Sequence, residues 1–283
     1  MDKILSSIQK VDFRKLMLTF ALAIVGIIFL LPFLWMISAS LKREVDVMNY
    51  PIQWIPDHWN AAKNYSEVLF GDKSILPYYW NTLKVTILTT LTSLSASCLA
   101  GYSFAKLKFK GSNLLFVIVL ITYMVPPQAL VVTQYQVLSS LGLIDSHLGL
   151  IMLNGFTAFG TFMLRQFFMG IDDELMEAAK IDGAGYFRTF WSVGLPLVRP
   201  ALATYAILRF IWTWNDYQYP LIFLRSDSQY TLQLGIDKFA DSIGTSYALM
   251  MTGSVVAIVP LFIIFIIGQK QVIEGLTIGG VKG

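Results

Sequence analysis

Long apolar runs alternate with shorter polar segments along most of the chain. Six of these runs hold roughly 20 residues each, at 16–37, 82–105, 114–133, 148–168, 201–224 and 247–268. A helix of about 20 residues is long enough to cross a hydrocarbon core about 30 Å thick. The pattern therefore predicts an all-α polytopic membrane protein with six transmembrane helices.

Composition and net charge agree with this prediction. The 283 residues are 55% hydrophobic and 14% charged, and the mean hydropathy is +0.61, which is typical of membrane proteins rather than soluble domains. Serine, threonine and glycine are frequent in the second and fourth runs, so we expect those helices to pack closely against other helices. The net charge of +3 implies no nucleic-acid partner.

Lysine and arginine predict which ends of the spans face the cytosol. With the N-terminus inside, thirteen of these residues fall in cytoplasmic segments and seven in outer segments. Because cytoplasmic loops carry an excess of basic residues, both termini are expected in the cytosol. The first run is longer than the apolar part of a signal peptide and has Trp35 near its end, so we interpret it as a retained anchor.

The sequence lacks the residues that several kinds of chemistry require. No Gly-Lys pair occurs, so there is no Walker A loop to bind nucleotide phosphates. The two histidines, His58 and His147, have no cysteine or glutamate at metal-ligand spacing, and Cys98 is the single cysteine. We therefore expect no catalytic residue, no metal site and no cofactor on this chain.

One polar segment, 169–199, has the pattern of two short helices. The pair Asp172-Asp173 is suited to cap the first helix, because a carboxylate accepts hydrogen bonds from the free N–H groups there. Gly183 is suited to end it, since glycine adopts the left-handed conformation that closes a helix. A second helical pattern runs from Tyr186 to Gly194 and stops at Leu195-Pro196. The segment is expected to project into the cytosol.

The first of these helices is predicted to present a shallow face. Leu175, Ala178, Ala179 and Asp182 follow the i, i+3, i+4, i+7 spacing and so lie on one side of the helix. The two alanines allow another surface to approach closely. We expect this face to enter a groove of a partner; the alternative is an ordinary amphipathic hairpin.

The segment resembles the EAA loop in the membrane subunits of binding-protein-dependent ABC importers. That loop has E-A-A followed by D-G-A and, further along, by L-P. The matching residues are Glu177, Ala178, Ala179, Asp182, Gly183, Ala184, Leu195 and Pro196. In that family the loop holds the coupling helix, which docks in a cleft of a separate ATPase. The resemblance therefore implies that these residues receive movement from an ATPase.

Further matches resemble the carbohydrate-importing branch of that family, which includes the maltose-type permeases. They are Pro51-Ile52-Gln53-Trp54-Ile55-Pro56, Met124-Val125-Pro126-Pro127-Gln128, Trp214-Asn215-Asp216-Tyr217 and the closing residues 274–283. The resemblance implies a methionine-importer-like (MetI-like) ABC permease core of five helices at 82–268, with the coupling loop at 169–199. The other segments would be a cytoplasmic N-terminus at 1–15, a first helix at 16–37, an outer segment at 38–81 and a cytoplasmic tail at 269–283.

The resemblance also implies partners and a location. A second, homologous permease would complete the pore, and two ATPase subunits, which would hold ATP and Mg²⁺, would bind in the cytosol. An extracellular solute-binding protein would deliver a sugar across the lipid of a prokaryotic cell membrane. In that branch the tail reaches the ATPase dimer, which implicates Gly279, Gly280 and Val281.

The sequence leaves other solutes and other protein classes as alternatives. A glycerol phosphodiester or a polyamine is an alternative solute for the same kind of importer. A secondary carrier would show inverted repeats, or paired broken spans with coupling-ion acids. A membrane enzyme would show a cluster of acid, base or metal-binding residues. The sequence has neither signature.

Candidates for the solute path are polar and aromatic residues within the predicted spans. The run Trp214-Asn215-Asp216-Tyr217 combines aromatic rings with amide and carboxylate groups, which suit the apolar face and the hydroxyls of a sugar. The alternative is an interfacial aromatic belt. Pro126-Pro127 predicts a kink in the third span that frees carbonyls near Gln128, either beside a wet cavity or in a simple packing kink.

Overall fold

The computed structural model describes residues 13–241 and 244–278, and its regular elements are helices apart from one pair of two-residue strands. The first helices are α1 (Phe13–Ser40), α2 (Glu44–Val47), α3 (Ala61–Phe70), α4 (Leu76–Lys106), α5 (Ser112–Met124), α6 (Pro127–Ser140), α7 (His147–Asn154) and α8 (Ala158–Met169). They are followed by α9 (Asp173–Ile181), α10 (Tyr186–Thr189), a π-helical turn (Phe190–Gly194), α11 (Leu195–Leu197), α12 (Arg199–Trp214), α13 (Gln218–Phe223), a 3₁₀ turn (Asp227–Gln229), α14 (Leu232–Asp237) and α15 (Tyr247–Ile278). Strands β1 (Ala240–Asp241) and β2 (Gly244–Thr245) pair antiparallel between α14 and α15.

The described residues hold six apolar spans, as the sequence predicts, when each of three bent helix pairs is counted as one span. Three are continuous helices, Arg14–Ser40, Leu76–Lys106 and Tyr247–Gln271. The other three are helix pairs that bend at a short break, by 102° between α5 and α6, by 44° between α7 and α8, and by 78° where α12 follows the helical segment Tyr186–Leu197. The predicted all-α fold with six spans is confirmed, but the apolar pattern does not reveal these bends.

The largest bend follows from two consecutive prolines. Pro127 begins α6, and Pro126 precedes it with φ −59° and ψ 127°, outside the helical region. A proline nitrogen has no hydrogen to donate, and its ring disfavours a helical conformation in the residue before it. The sequence predicts a kink here. The structure has a break of 102°, which leaves α5 with 13 residues and a length of about 20 Å.

The fifth span is shorter than predicted. The apolar run 201–224 forms two helices, because α12 ends at Trp214 and α13 begins at Gln218. Asp216 lies in the break, where its Oδ1 accepts a hydrogen bond from Tyr219 N at 3.2 Å. A carboxylate that accepts from a free N–H at a helix start favours this break over continued helix.

Close packing joins α4, α8 and α12. Tyr205 of α12 is fully buried, and its hydroxyl contacts Ser93 Oγ at 2.7 Å, Ser97 Oγ at 3.4 Å and Thr157 Oγ1. A Cβ on Gly160 would overlap the Tyr205 hydroxyl, so the tyrosine fits only against glycine. The small residues of spans two and four therefore permit close helix packing, as predicted.

The fourth span breaks between Asn154, at the end of α7, and Ala158, at the start of α8. Side chains form hydrogen bonds with the backbone groups that this break leaves unpaired. Thr157 Oγ1 accepts a hydrogen bond from Gly160 N at 3.1 Å and so caps α8. The guanidinium of Arg209 on α12 donates from Nη2 to the Asn154 carbonyl. Backbone groups that are freed inside an apolar medium need such partners, so the break depends on α12.

The chain divides by its internal contacts into two compact units. One is Met1–Ser74 with Phe239–Val256, and the other is Ile75–Lys238 with Ala257–Gly283. The Tyr205 cluster, the segment 169–199 and Trp214 all belong to the second unit. Helix α15 contributes its beginning to the first unit and its remainder to the second.

In the first unit, polar side chains satisfy the ends of two helices. Asn64 Nδ2 donates to the carbonyls of Ser40 and Lys42, both at 2.8 Å, at and just beyond the end of α1. The carboxylate of Glu44 accepts hydrogen bonds from the backbone N–H groups of Tyr247 and Ala248, at 2.9 Å and 2.8 Å. A carboxylate at the start of α15 also complements the positive end of the helix dipole.

We predict that Gly160→Ala destabilises the protein. The added methyl group would overlap the Tyr205 hydroxyl, and overpacking of this kind costs about 1–3 kcal/mol. The measurement is the thermal unfolding temperature of the purified protein in detergent. Gly26→Ala in α1 is the control, because a Cβ there meets no atom within 4 Å. Equal unfolding temperatures for the two variants would contradict this account of the packing.

Candidate functional site

The first helix of the segment 169–199 ends as the sequence predicts. Gly183 has φ +80°, and Ala184 N donates to Ala179 O at 2.9 Å while Gly183 N donates to Lys180 O at 3.0 Å. These two bonds form a Schellman motif, in which a left-handed residue closes the helix and satisfies its last carbonyls. A side chain at position 183 would be strained in this conformation.

The second helical stretch is longer than predicted. It begins at Tyr186, widens into the π-helical turn Phe190–Gly194 and continues to Leu197. The sequence predicts a stop at Leu195-Pro196, but Pro196 lies in the first turn of α11, where its missing N–H costs no hydrogen bond. The bend comes at Arg199-Pro200 instead, where α12 begins.

The two aspartates lie at the start of α9, as predicted, but the predicted capping hydrogen bond is absent. Asp172 occupies the N-cap position of α9, but its side chain makes no capping hydrogen bond. Asp173 Oδ1 instead accepts a bond from Lys106 Nζ at 2.6 Å. This hydrogen bond holds the pKa of the Asp173 carboxyl below its ordinary value. The carboxylate is thus directed to the end of α4 rather than to its own helix.

An apolar base fixes the segment to the helices above it. Met176 of α9 and Phe190 of the π-helical turn are each 4% exposed and pack in one cluster with Tyr102 of α4 and Phe168 of α8. The ring of Tyr102 lies 5.0 Å from that of Phe190 and 5.4 Å from that of Phe168. Sequence reasoning missed Met176, since a single methionine in a polar helix gives little signal of burial.

The opposite side of the segment is exposed and unusually apolar. Leu175 is 49% exposed and Ile181 is 86% exposed, while Phe187 of α10 is 71% exposed. Of the eight residues matched to the EAA pattern, Glu177, Ala178, Asp182 and Gly183 are exposed, and Ala179, Ala184, Leu195 and Pro196 are half-buried. Several large exposed apolar side chains on one short segment favour an interaction site over a free surface.

Trp214 does not have the environment expected of a sugar platform. Its side chain is 0% exposed, and its Nε1 donates to the backbone carbonyl of Ala257 at 3.0 Å. The indole stacks on Phe210 at 5.6 Å and meets the edge of Tyr79 at 5.4 Å. Both faces of the ring are used within this chain, so the geometry favours packing over ligand contact, and also over an interfacial belt.

The three residues after Trp214 point to different surroundings. Asn215 is exposed, and its Nδ2 donates to Ile211 O at 2.9 Å. Tyr217 is 41% exposed, and its hydroxyl donates to Asp237 at 3.3 Å. Asp216 is half-buried beside a small internal cavity. The run that looks like one cluster in the sequence is therefore dispersed.

The cavity beside Asp216 is polar but small. Its volume is about 10 Å³, and its lining consists of Thr82, Val85, Thr86, Leu150, Asn154, Thr213, Asp216, Pro220 and Thr231. The hydroxyls of Thr86 and Thr213 have no hydrogen-bond partner among the described residues. A space of this size holds about one water molecule, so it is not a sugar-binding pocket.

The remaining candidates divide between exposed positions and positions outside the described residues. Pro126 and Gln128, at the bend of the third span, are both exposed on this chain. Gly279, Gly280 and Val281 lie outside the described residues. Within the described ranges, no group of three or more His, Cys, Asp or Glu side chains is placed to hold a metal ion.

Sequence comparisons relate the chain to transport proteins. A family model described as binding-protein-dependent transport system inner membrane component matches residues 93–276. The arabinooligosaccharides transport system permease protein AraQ of Bacillus subtilis (strain 168) is 33% identical, over 95% of this chain and 96% of its own length. The maltodextrin transport system permease protein MdxG of the same organism is 30% identical, over 93% of this chain and 94% of its own.

Solved structures share the fold. A chain of a bacterial ABC transporter involved in the import of the acidic polysaccharide alginate matches with a TM-score of 0.81 at 23% identity, over 93% of this chain and 98% of that chain. A chain of the inward-facing MetNI methionine ABC transporter matches with a TM-score of 0.55 at 19% identity, over 69% of this chain and 93% of that chain. The MetI-like permease fold predicted from the sequence is confirmed.

We predict that Trp214→Ala lowers the stability of the protein by about 3–5 kcal/mol, the usual cost of removing a buried tryptophan. The measurement is the thermal unfolding temperature in detergent. Trp80→Ala on α4 is the matched control, because that tryptophan is 66% exposed. A Trp214→Ala protein that unfolds like wild type but has lost transport would return Trp214 to the solute path.

Proposed function

The chain belongs to the family of binding-protein-dependent transport system inner membrane components, and from this premise we propose that it is the permease subunit of an ABC importer for a sugar or oligosaccharide. The oligosaccharides in the names of its relatives support this solute class. The observation that carries the proposal is the exposed EAA segment on its buried base, because such a surface is typical of a docking site for a separate protein.

The proposed role of this chain is movement of a solute and not bond chemistry. ATP and Mg²⁺ bind two partner ATPase subunits, which dock on the segment 169–199 from the cytosol. Their closure moves this segment, and the permease pair turns from inward-facing to outward-facing. Both termini of this chain lie in the cytosol, where the tail with Gly279, Gly280 and Val281 reaches the ATPase dimer.

A second, homologous permease completes the pore. Helix α1 exposes apolar side chains along most of its length, including Phe20 at 67% and Phe29 at 72%. Such a surface in a membrane contacts lipid or another helix. On the outer side, the solute-binding protein docks on the segment 38–81, where Trp54 and Trp59 are exposed and are suited to an interface rich in aromatic side chains.

The solute path lies on surfaces of this chain that face the second permease, and not inside the chain. The internal cavity beside Asp216 has room for about one water molecule. The exposed candidates Pro126, Gln128, Asn215 and Tyr217 are therefore the residues proposed to meet the solute. Asp216 is placed behind them, next to the cavity.

A glycerol phosphate ester, such as a glycerol phosphodiester, is the second candidate solute. The sn-glycerol-3-phosphate transport system permease protein UgpE of Yersinia enterocolitica is 30% identical over 90% of this chain. The identity of this relative equals that of the maltodextrin permease MdxG, so the family alone does not select the solute class.

We predict that gentle-detergent purification of the tagged chain from its native membrane recovers a second permease, an ATPase with a Walker motif and a solute-binding protein. The purified binding protein is then titrated with oligosaccharides and with glycerol phosphodiesters. Saturable binding of an oligosaccharide supports the proposed solute, and binding of the phosphodiester alone replaces it. Recovery of the chain without any ATPase would contradict the importer.

We predict that Gly183→Asp abolishes uptake while the chain still inserts in the membrane. The left-handed φ of +80° disfavours any side chain, and a new charge would stand in the docking surface. The measurement is uptake of labelled solute by cells that contain equal amounts of each variant. The control is Gly111→Asp, because Gly111 also has a positive φ, of +85°, and open surroundings, in a different loop. Equal loss in both variants would argue for a general folding defect instead.

A further inference from the structure

Lys106, the last residue of α4, links span two to the beginning of α9. Its Nζ donates to the backbone carbonyl of Ile171 at 2.6 Å and to Asp173 Oδ1 at 2.6 Å. The Lys106 side chain is only 6% exposed, whereas that of Asp173 is 80% exposed. The buried ammonium is thus held between two groups that flank the start of α9.

We propose that Lys106 is a positioning residue that transmits movement of the segment 169–199 to α4. The inference rests on the proposed function, in which an ATPase docks on this segment. The chain itself connects the segment only to α8 on one side and α12 on the other. Movement can reach α4 only through contacts between residues that are far apart in the sequence.

The contact with the Ile171 carbonyl is the stronger of the two. An ion pair with a partner as exposed as Asp173 is screened by water and contributes little to stability. The carbonyl of Ile171 instead receives a charge-assisted bond from a nearly buried donor, and such bonds are stronger than neutral ones. A cation is also favoured here, because α4 and α8 both direct their C-terminal carbonyls to this place.

A second cation contacts the adjoining ends of α4 and α8. Arg165 of α8 donates from Nε to Phe104 O at 3.3 Å, and its guanidinium lies 4.1 Å from the centre of the Phe116 ring. This contact joins α8 to α4 but does not reach α9. Among the polar contacts described, Lys106 alone joins the end of α4 directly to α9 and the turn before it.

The apolar base also connects the segment 169–199 to α4, but its side chains can slide past one another. Met176 and Phe190 pack on Tyr102 and Phe168 without directional bonds, and a methionine side chain adapts readily to small shifts. A charged hydrogen bond to a backbone carbonyl has a preferred distance and direction, so it resists such sliding. Because α4 is one continuous helix of 31 residues, a displacement of its end is transferred along about 46 Å.

The first readout uses the complete importer and needs no knowledge of the solute. Hydrogen–deuterium exchange is measured with and without ATP under conditions that block hydrolysis. In wild type, the amides of 103–107 and of 171–175 should change protection together. In Lys106→Met, only 171–175 should respond. Lys110→Met is the matched control, because Lys110 is exposed in the loop after α4, and it should behave as wild type.

Transport efficiency is the second readout. Uptake per ATP hydrolysed should fall roughly tenfold in Lys106→Met, the size expected from loss of one charged hydrogen bond. Lys106→Arg, which keeps the charge and the donors, should recover most of it. Asp173→Asn should have a smaller effect, because it leaves the bond to Ile171. The exchanged pair Lys106→Asp with Asp173→Lys should not recover, since the carbonyl loses its donor.

The outcomes separate this inference from the proposed function. If both stretches of amides still respond together in Lys106→Met, the inference is wrong. If the Met variant does not assemble, Lys106→Gln tests the same contact and should show an intermediate loss. If wild type shows both exchange responses but takes up no sugar, the solute class is wrong while the role of Lys106 stands. If neither stretch responds in wild type, the coupling role and this inference both fail.

Discussion

The hydroxyl of Tyr205 holds three helices together at one buried point, and the arrangement of the second unit depends on it. Serine hydroxyls of α4 and the capping threonine of α8 meet there, and Gly160 makes room for the ring. One turn further along α12, Arg209 satisfies the last carbonyl of α7. A broken span survives in an apolar medium only when neighbouring side chains replace the lost backbone bonds. Helix α12 supplies these partners to both halves of span four.

The segment 169–199 combines a buried side and an exposed side with different roles. Met176 and Phe190 anchor it to the ends of α4 and α8, and the Schellman turn at Gly183 sets the direction of the chain between its two helices. Other apolar residues of the segment are exposed in the described chain. A firm attachment on one side and an open apolar surface on the other are what a force-receiving element requires, because a loose base would absorb the movement.

The described spans place their candidate solute contacts on the surface of the chain rather than inside it. The described chain has a polar cavity with room for about one water molecule, and Trp214 is used for packing rather than for a ligand. Exposed apolar and polar residues lie instead on the helix surfaces, at α1 and at the bend between α5 and α6. In the proposed function, a second permease subunit closes a solute path built from such surfaces.

The sequence by itself determined the six spans, the short helix of the EAA segment and its end at Gly183. These features are local, because a helical run is set by neighbouring apolar residues and a left-handed turn by one glycine. Only the tertiary structure decided that Trp214 points inward, that Asp216 starts a new helix, and that Lys106 contacts Ile171 and Asp173. Each of these depends on close packing against groups distant in the sequence, and a linear pattern contains no distances between them.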